Sequence, residues 1–478
     1  MMSRLPASLV LLVGLGFGPA AAASIEVRTQ TLVLQFAANG DLLEARACLP
    51  DCDSGRHQTV LGGVDALVSF ASYAAEPFEL HRSQADGAVL LDFQHAPGSY
   101  RRWRIPADGW RLGLETAGAG RIDIRAGTGL EAPDSAGFGV WLEQPRYMWR
   151  AGRSYETHEL ADAIQPFDPA SWFGFRNRFW AVMAQASGPL TANFETGPEL
   201  RDPGVVLGLE PAKPQRLDLY VGPLEPAALR SADPALPGML YASLWFWLRW
   251  ICMGLFWLLS LIHALVPHWA LDIMLLSVAV NILMRPLSLL ADHLQDDVHR
   301  TEGRLAPELR EIRAKYRGEE QSERVLALYK KHGVHPLYSL KSLAGVAVVI
   351  PVFIGAFDML AENIWLAGEK FLWIGDLARP DALAPLPFDL PFFGNELNLL
   401  PFIMTALSVA ASVLHRHEAM DALQYRRHKR NLTLMALGFL ALFYTFPAGM
   451  VLYWTTNNLI SVIKYGWKRM HNAASEQS

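Results

Sequence analysis

The sequence predicts a multi-domain chain: an exported antiparallel β-sandwich followed by an α-helical membrane bundle of five crossings. Three observations predict it. Among the 478 residues, the apolar runs lie almost entirely beyond residue 240, and the one at 271–290 is about twenty residues long, enough to cross a bilayer. Before that point, short runs alternate apolar and polar residues between turn signals, the pattern of half-buried strands. Clusters of Lys and Arg recur between the apolar runs and set their orientation. The net charge of -5 says little about partners beside that distribution.

Residues 1–23 hold one early Arg4, an apolar core of about fourteen residues and small residues ending at Ala21, Ala22 and Ala23. This reads as a signal peptide cleaved near Ala23, or else as an uncleaved anchor helix. Either would export the next stretch of chain. The sandwich then spans 24–237. Ile25 to Ala47 alternates on both sides of Asn39-Gly40, a strong hairpin signal. Further alternating runs lie at 88–93, 100–105, 110–116, 121–125 and 216–221. Cys48 and Cys52 bracket a turn in this half, where a disulfide survives. Whether they pair depends on a Cα separation that sequence does not give. Cys252, in an apolar run, reads as a packing residue.

Residues 239–266 are rich in Trp, with Arg249 and His263, and suit an interfacial amphipathic helix. The basic segment 292–341 is placed in the cytoplasm, so one crossing precedes it, assigned to 269–290. Segment 292–341 itself reads as a helical hairpin bent near Gly318, either a solvated connector or an arm that meets incoming chains. Crossings at 342–365, 397–414, 432–446 and 450–467 come next. They are joined by an outer loop at 366–396, an inner loop at 415–431 and a tight Pro447-Ala448-Gly449 turn. A tail at 468–478 returns the chain to the cytoplasm. Asp358 and Glu362 are expected at the outer rim.

The crossing at 269–290 carries polar residues in a stripe. Ser277, Asn281, Arg285, Ser288 and Asp292 step by four, four, three and four, so they share one helical face. Tyr453, Asn457, Ser461, Lys464 and Lys468 repeat the spacing in the last crossing. One such stripe reads as interhelical glue or as basic residues reaching for headgroups. Two matching stripes invite a shared polar groove, because ionisable groups at depth are costly and tend to be functional. Pro286 removes a backbone donor and would kink the first of them.

Several short motifs resemble those of the YidC/Oxa/Alb membrane protein insertases, in the Gram-negative form with a large periplasmic domain. FPAGMVLYWTTNNL from Phe446 to Leu459 is similar to that family's last turn and helix. FLWIGDL from Phe371 to Leu377 is similar to its outer loop, while Trp172-x-Gly174, Phe179-Trp180-Ala181 and Leu219 to Pro223 resemble sites in its periplasmic domain. The resemblance implies a bacterial inner-membrane protein with a periplasmic super-sandwich, an interfacial helix, a cytoplasmic helical hairpin and a five-helix bundle enclosing a groove open to cytoplasm and lipid but closed outside. By position, Ser277 and Tyr453 match groove residues. The family's groove arginine, five residues before a Pro-Leu pair, is replaced here by Asn281, and Arg285 is the nearest substitute. The stretch His335 to Lys341 and the short tail also depart from the family.

The first functional expectation is therefore an insertase or chaperone without covalent catalysis, cofactor or metal. It would pass client segments through a groove of Ser277, Asn281, Arg285, Ser288, Tyr453, Asn457 and Ser461. Its partners would be newly made membrane proteins and the lipid bilayer, with a Sec-type translocon and the ribosome as further candidates. No nucleic-acid binding of its own is expected. A rival reading is a dedicated assembly factor for one envelope complex, with the membrane half as anchor. A sugar-active enzyme would need an acid and base pair, which His57, His81, His95 and His158 do not form with any carboxylate by spacing.

Overall fold

The computed structural model describes residues 24–475 except 64, 71–77, 97, 132–136, 163, 165, 189, 198, 199, 201, 336, 339 and 415–421. The leading segment 1–23, Pro336, Ser339, Arg416 and the side chain of Asp292 lie outside the described residues. The chain forms two compact units, described separately. A β unit runs to Trp245 and includes Glu362–Trp365; a helical unit runs from Phe246 and includes Ala136–Gly139.

Alternation builds the β unit. In the strand Leu32–Phe36, Leu32, Leu34 and Phe36 are buried while Val33 and Gln35 are half-buried. It pairs with Leu42–Leu49 across the Asn39-Gly40 turn, where Gly40 stands at φ +85. That left-handed conformation suits glycine, and a Cβ there would lie 2.9 Å from the Phe93 ring. Eight strands make one antiparallel sheet, from Ile25–Arg28 at one edge to Thr191–Phe194 at the other. Nine make a second, from Ser154–Glu159 to Glu79–Ala85. The expected strands all appear, as Ala88–Ala96, Ser99–Pro106, Arg111–Ala117, Arg121–Arg125 and Gln215–Pro223. Two short helices, α1 (Val140–Glu143) and α2 (Pro226–Ala232), complete the unit.

The inner faces share one apolar core. Phe36 meets Trp103 of the other sheet edge-on at 5.4 Å, and the Trp103 indole donates to Gly40 O at 3.0 Å. Arg101 is buried beside the same turn, donating to Asp41 at 2.7 Å with its guanidinium 4.0 Å above the Phe70 ring. Burial pushes the Asp41 carboxyl up and the Arg101 guanidinium down to about 10, against their mutual attraction. Cys48 and Cys52 are joined as a disulfide, their Cα atoms 5.0 Å apart.

The short motifs of this half have packing reasons. Trp172 is buried, and a Cβ on Gly174 would lie 2.1 Å from Val182 O in the next strand. The Tyr220 hydroxyl donates to Pro223 O, while a Cβ on Gly222 would collide with Trp110. Glu362 corrects an expectation. Rather than being a free surface charge, it is held by buried Arg176 at 2.7 Å and accepts from the Tyr241 N–H.

The helical unit contains α3 (Phe246–Leu265), α4 (Trp269–Leu283), α5 (Arg285–Lys315), α6 (Gly318–Lys331), α7 (Leu340–Ala361), α8 (Leu400–Leu414), α9 (Ala422–Phe443) and α10 (Ala448–Ser475). Among the described residues, α3 is the single unbroken helix long and apolar enough to cross a membrane. It buries Leu248, Cys252, Leu255 and Leu259 and exposes Trp250 and Trp257 on the opposite face.

The expected rod 269–290 is not straight. It ends at Leu283 and resumes at Arg285 after a bend of 56°. The cause is Pro286, which has no N–H to donate and occupies the opening of α5, where no donor is needed. Helix α5 then continues through residue 291 without a break, so the first arm of the expected hairpin grows directly out of the C-terminal end of that run. Gly318 turns the chain at φ +62, and α5 and α6 pack antiparallel through Leu305, Leu309 and Leu328. Lys331 and His332 both reach Glu308, at 3.0 and 2.7 Å, and hold its carboxyl below the usual range. Helix α9 begins ahead of 432, inside the expected loop, and α10 extends into the expected tail.

Candidate functional site

The site begins with how α10 is set. Its first N–H groups lack partners within the helix. Ala448 N donates to Arg379 O at 2.7 Å and Gly449 N to Leu377 O at 2.8 Å, so the FLWIGDL loop caps the FPAG turn. Gly449 leaves little room there, since a Cβ would lie 3.1 Å from Leu377 O. Phe446 is buried and packs on Phe357 at 5.2 Å. These contacts fix the rotation of the helix that carries Tyr453, Asn457 and Ser461.

The two stripes meet. Asn281 Nδ2 donates to Asn457 Oδ1 at 2.7 Å and to Ser277 O at 2.8 Å, joining α4 to α10. Ser461 Oγ donates to Asn457 O at 3.0 Å, and Asn458 Nδ2 ties α10 to Met404 O of α8 at 3.1 Å. Ser277 is fully buried, and its hydroxyl has no partner among the described residues. Burial falls along both stripes. Ser277 and Tyr453 are buried, Asn281, Asn457 and Ser461 are half-buried, and Arg285 and Lys464 are exposed. The arrangement is therefore closed at one end and progressively open towards the other.

Two sequence-predicted residues fall elsewhere. Arg285 is not brought back to Asn281. It opens α5 beyond the bend, exposed, with no hydrogen bond or ion pair among the described residues. Ser288 lies on α5 as well, half-buried past the same bend. The single-helix stripe thus divides into an upper pair, Ser277 and Asn281, and a lower pair, Arg285 and Ser288. On α8, Thr405 and Ser412 donate to carbonyls of their own helix.

One pairing was not foreseen. Asp272 is completely buried and accepts from or shares a proton with His263 Nδ1 at 2.6 Å, joining α3 to α4, and the imidazole stacks on Trp269 at 3.8 Å. An aspartate inside an apolar run with a histidine on the preceding helix was the available signal. Among the described residues, no group of three or more His, Cys, Asp or Glu could hold a metal ion.

Residues 261–473 match the sequence family described as 60Kd inner membrane protein. That span, a little under half of the chain, is similar to the family. Relatives named "Membrane protein insertase YidC" include one from Janthinobacterium sp. (strain Marseille), 30% identical over 53% of this chain and 43% of its own length. Another, from Syntrophobacter fumaroxidans, is 27% identical over 67% of this chain and 57% of its own. A third, from Helicobacter pylori (strain ATCC 700392 / 26695), is 32% identical over 51% and 40%. The chain thus spans about half the length of the curated relatives it matches. A solved structure described as "Active YidC insertase crystal structure with the first transmembrane domain resolved" overlaps 93% of this chain at 16% identity and a TM-score of 0.37. The matched span contains the groove candidates from Ser277 to Ser461.

Proposed function

We propose that this chain is a membrane protein insertase or chaperone, which takes a polar client segment along the polar seam where α4 meets α10 and releases the adjoining apolar segment into lipid. The reading places the β unit in the periplasm, α3 along the interface and five crossings in the bilayer, with the α5–α6 pair in the cytoplasm. It rests on one observation above all: the Asn281–Asn457 pair, in a stripe whose burial declines from Ser277 and Tyr453 towards Arg285.

The chemistry comes from the groups left unused. Both Asn281 Nδ2 hydrogens are engaged, while Asn281 Oδ1, the Asn457 amide hydrogens and the Ser277 hydroxyl have no described partner. They offer a passing peptide both donors and acceptors where hydrocarbon would offer none. Each polar group so satisfied lowers a transfer cost of roughly several kcal/mol. Arg285, exposed at the inner end, is placed to meet acidic residues of a client as it approaches. A neutral amide at Asn281 suits a narrower client range than a buried cation would.

Photocrosslinkers placed at Asn281 and Tyr453 of the full chain in vesicles should capture nascent membrane proteins during insertion. A crosslinker at Ile282, exposed about 100° further round α4, should capture lipid only. Equal client capture from Ile282 and Asn281 would remove the groove from the mechanism.

A further inference from the structure

The loop between α7 and α8 ends in a hairpin that neither the stripes nor the capping of α10 uses. Its strands are Ala384–Leu390 and Gly394–Leu397. The base is firmly held. Asp381, buried, accepts from the Trp373 indole at 2.9 Å and from Leu399 N and Leu400 N at 2.8 and 2.9 Å, capping α8. Asn398 accepts from Ala382 N and donates to Tyr444 O, and the Tyr444 hydroxyl donates to Glu396 O.

The tip, by contrast, is apolar and open. Phe388 is 58% and Phe392 52% exposed. Phe392 meets Phe138 edge-on at 4.7 Å, and Phe138 is itself exposed, so the contact widens the apolar patch without covering it. Phe392 stands at φ +72, a conformation that bulky residues avoid and that asparagine or glycine would occupy without strain. A large apolar side chain kept outward on unfavourable backbone needs a reason in its surroundings.

We propose that Phe388 and Phe392 seat in the interfacial layer of the lipid bilayer beside α8. Three features select lipid over a protein partner. Only Asn398 and Leu399 separate the hairpin from α8, whose first turn exposes Phe402, so the aromatic surface continues from an apolar helix to the tip. From Pro380 to Leu414 the sequence has no Lys or Arg, which leaves apolar contact rather than charge to hold the tip against a membrane. Pro385, Pro387 and Pro391 carry no N–H, and the pairing register shifts between Pro385 and Leu390. Missing donors make insertion into a dehydrated layer less costly and spoil the edge for an added peptide strand.

The test uses the full chain carrying Cys252→Ala and Asp389→Cys, labelled with an environment-sensitive fluorophore in phosphatidylcholine nanodiscs. The fluorophore should emit blue-shifted and be quenched several-fold more strongly by headgroup nitroxide lipids than one at Lys213 on the β unit. Phe388→Ser with Phe392→Asn should abolish that quenching, and Phe392→Asn alone should reduce it without lowering thermal stability, since asparagine tolerates the φ. A label at residue 389 as wet as the Lys213 control would overturn the assignment. So would protection from water that appears only when a client is added, because the occupant would then be protein.

Discussion

Asn281→Ala removes the two hydrogen bonds that Asn281 Nδ2 makes, at 2.7 and 2.8 Å, and leaves Asn457 Oδ1 half-buried without its partner. Interhelical polar bonds in bilayers contribute about 0.6 kcal/mol on average and up to about 1.7. An acceptor stranded in a half-buried position adds to the loss, so the variant should be destabilised by about 1–2 kcal/mol. Asn457→Ala should cost a similar amount. The double variant should cost less than the sum, with a coupling of about 1 kcal/mol, because the second substitution removes a bond already broken. Detergent unfolding of the full chain in bicelles reads the four corners of that cycle. Insertion into vesicles, measured on the same samples, should fall about fivefold for Asn281→Ala if the lost polar partner is worth about 1 kcal/mol to the client. Coupling near zero would mean that the amides do not act as a pair in the bilayer. Coupling with undiminished insertion would make them interhelical glue and nothing more.

Glu362→Ala strands Arg176, whose side chain is nearly buried, and should destabilise the β unit by about 3 kcal/mol or more; Glu362→Gln should recover part of that in the same thermal melt. Gly40→Val places a branched side chain at φ +85 against Phe93 and should lower stability by about 2 kcal/mol, whereas Gly55→Val, at φ +59 with open space around it, should lose less. The α5–α6 contact should weaken in acid. The Glu308 carboxyl sits lower in the folded chain than its ordinary 4.5, so its contribution is complete above that value and disappears as pH falls through the depressed one. Spin labels on α5 and α6 of the reconstituted chain should move apart over that interval, and Glu308→Gln should flatten the response.

Local rules carried much of this architecture. The Asn39-Gly40 hairpin comes from turn chemistry, and the meeting of Asn281 with Asn457 from two helices with the same four, four, three spacing. Pro286 announced a disturbance but not its size, because whether a proline kinks a helix or ends it depends on what packs around the freed carbonyl. Glu362 and Arg176 are far apart in sequence, and no pattern joins them; an acidic residue at the end of an apolar run looks the same whether it faces water or a buried guanidinium. The Ala384–Leu397 hairpin escaped for a related reason. Its prolines and broken register erase the alternation by which strands are recognised, although the same prolines suit its surroundings.

The cap that the loop carbonyls of Leu377 and Arg379 place on α10 also sets a distance. Asn457 comes nine residues after Ala448, the first residue of that helix, and at 1.5 Å per residue lies at most about 13 Å beneath it. In the proposed topology α10 starts at the outer face of a hydrocarbon layer about 30 Å thick, which would put the amide pair near its centre. A cargo that has climbed from the inner opening to Asn457 has completed roughly half the journey in hydrated company. On the proposed reading the chain would shorten a barrier rather than tunnel through it, and cargo with long or highly charged ends should stall just past the midplane.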